Sequence, residues 1–139
     1  MRPTRHIFIK LVILSSTAFT CQWSFAADLP DLPEAFDAGW KGQKVCEVLY
    51  ESETMRAARC TFPPGIGHEK HYHNPHFGYV LEGGTMLDKD AQGNEEVIQI
   101  VAGQTWSSSG IKVHQAVNMG DSTVSVLIVE TSMKGPGSE

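Results

Sequence analysis

The sequence Gly65-Ile66-Gly67-His68-Glu69-Lys70-His71-Tyr72-His73-Asn74-Pro75-His76, running directly into Phe77-Gly78-Tyr79-Val80-Leu81-Glu82-Gly83, holds four of the chain's six histidines within nine positions. A surface loop gains nothing from such crowding, because imidazoles that protonate together repel one another. A metal site gains a great deal, because neutral imidazole is the commonest protein ligand for transition metals. In a strand side chains alternate between faces, so His71 and His73 share one face and can grip one ion. His114, well downstream in its own β-type run, can supply a third ligand from another strand. By the same alternation His68 faces away from His71, toward the surface or an interface between copies, which makes a homodimer one expectation. Glu69 shares the inward parity of His71. It is expected to orient a ligand imidazole or to take an acid/base role, unless it is a solvated residue at the mouth.

The chain of 139 residues allows one domain. Residues 1–26 read as a secretory signal: Arg2, Arg5 and Lys10 precede an apolar run over 11–19, and Ser24-Phe25-Ala26 offers small residues for cleavage after Ala26. Lipoprotein processing at Cys21 is the rival, though Ala18-Phe19-Thr20 makes a poor lipobox. Export to the periplasm or beyond follows, with no membrane association after cleavage. Removing the leader leaves eight Lys and Arg against sixteen Asp and Glu, a net charge of −8. That acidity argues against nucleic acid, whose binding rests on neutralising phosphates. Two cysteines then remain, Cys46 and Cys60, and an even count in an oxidising compartment suggests one disulfide. The alternative is a pair of buried thiols.

Residues 27–44 carry Pro30, Pro33 and Gly39 and read as an irregular lead-in, with one helical turn near 34–38. Beyond them lie short β-type runs at 45–50, 56–62, 77–81, 85–88, 95–101, 105–107, 113–117 and 123–130, besides the histidine stretch itself. Pro63-Pro64-Gly65, Gly83-Gly84, Ala91-Gln92-Gly93-Asn94 and Ser108-Ser109-Gly110 punctuate them. Eight or nine strands without helices mean an all-β sandwich or barrel, over residues 45–132, with a tail at 133–139. A hairpin tip centred on Glu53 sets Cys46 opposite Cys60, close enough to bond.

These residues carry a resemblance. The spacing of Gly65, His71, His73 and Gly83 resembles the first motif of the cupins, which are double-stranded β-helix (jelly-roll) barrels with an internal metal. Gly103, His114 and Asn118 resemble the second, with Ser109 and Ile111 in place of its Pro and Gly. The resemblance spans residues 45–130. It implies three imidazole ligands, His71, His73 and His114, and places His76 where the family pattern has a glutamate ligand. Position 76 also lies one residue closer to His73 than the usual spacing. A fourth imidazole would leave the metal's charge uncompensated and favour nitrogen-loving ions, with Fe(II) foremost and Zn, Ni or Cu as alternatives. His76 could instead act as an acid/base, and a metal-free barrel is the other reading of all four.

The function implied is a small metalloenzyme, an Fe(II) oxygenase or a metal-dependent lyase or isomerase, acting on a small anionic or carbonyl-bearing molecule. A non-catalytic binding module is the alternative. Trp106 and Phe77 read as packing. Gly78, two residues past His76 on the same face, leaves room beside the metal or relieves crowding.

Overall fold

The structure, a computed structural model, describes residues 31–131; the stretch read as a secretory signal, with Cys21, the start of the lead-in, and the tail at 133–139 lie outside the described residues. Eleven strands follow in order: β1 (Gly39–Trp40), β2 (Gln43–Lys44), β3 (Cys46–Glu51), β4 (Met55–Phe62), β5 (Gly67–His73), β6 (His76–Glu82), β7 (Gly84–Asp90), β8 (Glu95–Ile100), β9 (Thr105–Ser108), β10 (Lys112–Asn118) and β11 (Val124–Thr131). Two short strands in the lead-in account for the excess over the expected number. Among the described residues no helix is long and apolar enough to cross a membrane.

A five-stranded sheet, ordered β3-β4-β11-β6-β9, faces a four-stranded sheet, ordered β5-β10-β7-β8. Alternation decides what lies between them. On β11, Val124, Val126, Ile128 and Glu130 are buried; on β4, Ala58, Cys60 and Phe62; on β6, His76, Gly78 and Val80. One end of this interior is aliphatic and aromatic, and the other carries the histidines. The β7–β8 hairpin turns where expected, with Asp90 Oδ1 accepting from the backbone N–H of Gln92 and Asn94 at 2.9 Å, and Gly93 at φ +92°.

Residues 31–44 do not merely lead up to the barrel. Glu34 bridges Tyr72 of β5 in parallel, and Ala38 N–H closes a single turn onto Glu34 O at 2.9 Å. That turn drops Ala35 and Phe36 into the core cluster. The segment is irregular in backbone yet integral in packing.

Cys46 and Cys60 form a disulfide and are Cα partners across β3 and β4. The register reaches this pairing through two cancelling offsets. Glu51 pairs with Arg56, so the loop is centred half a residue past Glu53, and a bulge at Leu49 inserts one residue that restores the opposition. Val45 O accepts from Thr61 N–H at 2.9 Å, which makes the cysteines a non-hydrogen-bonded pair, the closer of the two antiparallel spacings.

Candidate metal centre

His71 and His73 leave β5 on the inner face, and His114 leaves the neighbouring β10, directly opposite His71 in the ladder. Their Nε2 atoms converge: His71 to His73 is 2.8 Å and His73 to His114 is 3.2 Å. Each ring's other nitrogen faces a carbonyl or carboxylate oxygen that accepts from it. His71 Nδ1 lies 2.6 Å from Glu69 O, His73 Nδ1 2.6 Å from Glu130 Oε1, and His114 Nδ1 2.6 Å from Asp88 Oδ1. In a neutral imidazole only one nitrogen carries hydrogen, so these contacts fix it on Nδ1 and leave three Nε2 lone pairs aimed at one spot. Burial, reinforced by neighbouring imidazoles, holds His71 and His73 far below the ordinary histidine range and so keeps them neutral. Converging lone pairs with no hydrogen between them repel; a shared cation satisfies all three. The donor set can hold a metal ion.

His76 lies outside that convergent set. Asn74 and Pro75 form a two-residue corner, and the chain emerges from it on β6 of the facing sheet. The His76 ring is 4.6 Å from that of His73, and its Nδ1 donates to Asn74 O at 2.8 Å, which leaves Nε2 as the open nitrogen. It is buried and lines the same cavity as His73 and His114.

Two expectations from strand alternation are overturned. His68 is buried, with its ring centroid 3.8 Å from that of His71 and its Nε2 2.8 Å from Ala35 O. Glu69 is exposed and accepts from Lys41 N–H at 2.7 Å. The cause is a bulge: between His71 and His68 strand β5 advances three residues while β10 advances only two, from His114 to Ala116. One extra residue reverses the parity of everything before it. Glu69 therefore supports His71 with its main-chain carbonyl, and its side chain has no place at the site.

The carboxylate missing from position 76 stands next door. Glu130 is the Cα partner of His76 across β6 and β11, 1% exposed, and bonds to His73 rather than converging with the imidazoles. Asn74 Nδ2 spans from Glu34 Oε1 at 3.0 Å to Glu130 Oε2 at 3.4 Å, and Glu34 pairs with Arg56. Burial raises the carboxyls of Glu130 and Glu34 above the ordinary range. With Asp88 and Glu130 both behind the imidazoles, the charge of a divalent ion would be balanced one bond further out, contrary to the expectation of an uncompensated site. Sequence reasoning passed over both carboxylates. The signal for Glu130 was available, since Val124, Val126, Ile128 and Glu130 share a parity and a charge ends an otherwise apolar face.

A cavity of about 450 Å³ opens from the site, walled by Phe62, Met86, Ile98, Ile100, Val126 and Ile128. The exposed lining residues Gln104, Trp106, Ser107 and Lys112 mark its mouth. Gly78 serves Trp106 rather than the metal: the two are cross-strand partners, and a Cβ at Gly78 would come within 2.1 Å of the indole. Asn118 is structural, donating from Nδ2 to Phe62 O and Ser122 O at 2.7 Å.

No protein-family model matches the chain, and no curated protein matches it in sequence. Solved structures do resemble it. A cupin domain from Bordetella pertussis Tohama I has a TM-score of 0.59 at 19% identity, over 73% of this chain and 96% of that one. A cupin-like protein from Thermotoga maritima gives 0.52 at 16% identity, over 66% and 71%. A cupin family protein with a double-stranded β-helix fold from Methanocaldococcus jannaschii gives 0.50 at 18%, over 63% and 78%. At these identities the likeness establishes the fold: the chain adopts the double-stranded β-helix barrel seen in these cupin structures.

Proposed function

We propose that the protein is an exported, metal-dependent cupin that binds one divalent transition ion through His71, His73 and His114 and acts on a small molecule in the adjoining cavity. The convergence of three Nε2 lone pairs, each fixed by an acceptor behind the ring, carries this reading. Outer partners of this kind orient and strengthen ligand imidazoles. The ion supplies Lewis acidity toward a carbonyl or carboxylate, and redox chemistry with dioxygen if it is iron. A nitrogen donor set suits Fe(II), with Zn, Ni and Cu as competitors.

His76 takes the proton-handling role in this reading. Its Nδ1–H is committed to Asn74 O, so Nε2 is free to accept or return a proton at the cavity wall. The disulfide supports an oxidising compartment, and hence periplasmic or secreted location.

Metal analysis of protein purified from its native compartment tests the assignment, followed by turnover assays with carbonyl and carboxylate substrates with and without oxygen. About one first-row metal per chain with product formation supports a metalloenzyme. Saturable binding without product supports the binding-module alternative. A chain that takes up no metal sinks the metalloenzyme reading.

A further inference from the structure

We infer that the ligand of this cavity is a flat, unsaturated monoanion, its ring against Trp106 and its acidic group between Lys112 and the histidine triad. The inference rests on the metal reading above and adds the substrate class. Lys112 stands two residues before His114 on β10, so both side chains leave the same face, and it is the Cα partner of His73. It is the only Lys or Arg among the described residues lining the cavity. Arg56, Arg59 and Lys89 each have a carboxylate partner, whereas among the described residues no carboxylate pairs with Lys112. A cation placed beside a metal site is repelled by it unless an anion comes between them. Asp88 and Glu130 offset a divalent ion, so Lys112 leaves the centre with one excess positive charge. That excess selects a single negative charge.

The mouth supplies the second half of the specificity. Glycine at 78 is what lets the Trp106 indole lie across β6, because any Cβ there would occupy the ring's position. The indole thereby becomes part of the cavity wall, which it shares with Ser107 and the aliphatic side chains of Ile98, Ile100 and Ile128. An aromatic side chain in an otherwise aliphatic lining accepts a planar ring by offset stacking and prefers it to a puckered one. The volume suits a small organic acid rather than an inorganic ion.

The test is calorimetric titration of benzoate, cyclohexanecarboxylate and benzamide into zinc-loaded and metal-free protein, with zinc stoichiometry measured separately. Benzoate should bind the zinc form about threefold or more tighter than cyclohexanecarboxylate, and roughly tenfold tighter than benzamide, its neutral counterpart. Lys112→Gln should remove the advantage over benzamide and leave the ring preference. Trp106→Leu should remove the ring preference and leave the charge preference, with Trp106→Phe restoring part of it. Equal affinities for the three probes, in both forms, would overturn the inference even if zinc loads one per chain. If zinc does not load, the metal reading fails on its own, and a ring and charge preference in the metal-free protein that follows Trp106 and Lys112 still supports the ligand class.

Discussion

Glu130 accepts a hydrogen bond from His73 Nδ1 at 2.6 Å while standing directly opposite His76 on the next strand. The barrel therefore keeps a carboxylate at the site but sets it behind an imidazole. Glu130→Gln should lower metal affinity about 10- to 100-fold, the usual effect of losing an outer carboxylate partner. Glu130→Ala should also destabilise the metal-free fold by roughly 1–3 kcal/mol, because the buried His73 N–H loses its acceptor. Competitive chelator titration and urea unfolding measure the two effects. Unchanged affinity in Glu130→Gln would show that Glu130 does not support the ligand.

His114→Ala should abolish stoichiometric metal binding, since it removes one of three converging nitrogens and with it the closure of the site. His76→Ala should retain most of the metal and lose turnover, because His76 lies outside the convergent set. Metal content by mass spectrometry separates them. Equal loss of metal in both variants would make His76 a fourth ligand.

Reducing the Cys46–Cys60 bond, or replacing both residues with serine, should cost about 3 kcal/mol, given a closed loop spanning 14 positions. Urea denaturation with and without a reductant reads the difference. Two thiols labelled in native, oxidised protein would exclude the bond.

Metal-free protein should lose stability as the pH falls below 6.5. Burial lowers His68 to about 4 and holds His71 and His73 lower still, so the unfolded chain takes up protons that the folded chain refuses. The His68 contribution is complete above its unfolded value and is lost on the way down to about pH 4, a change on the order of 3 kcal/mol. Glu34 and Glu130 act with opposite sign, their raised values favouring the folded form in acid, but they are two against three. Melting temperatures from pH 7.5 to 4.5 should fall, and His68→Gln should flatten the slope. A profile that rises with acidity would mean the carboxyl pair dominates.

Gly78→Ala should displace the Trp106 indole, because the new Cβ would meet ring atoms at 2.1 Å. Overpacking of this kind costs about 1–3 kcal/mol. Near-ultraviolet circular dichroism should change together with stability. An unaltered spectrum would mean that the indole does not cover Gly78.

The sequence by itself determined the all-β character, nearly every strand, and the pairing of His71 with His73, because each follows from a period-two pattern written within a few residues. It also determined His114 as a partner, through spacings that resemble a known family. Only the tertiary structure decided which way His68 and Glu69 face, since one inserted residue on β5 inverts the alternation and leaves no mark in composition. Only the structure placed Glu130 and Asp88 behind the imidazoles. Alternation gives the face from which a side chain leaves its strand. Which strands lie side by side, and in what register, is set by closure of the whole barrel, and that closure joins β5 to β10 and β6 to β11 across long stretches of chain.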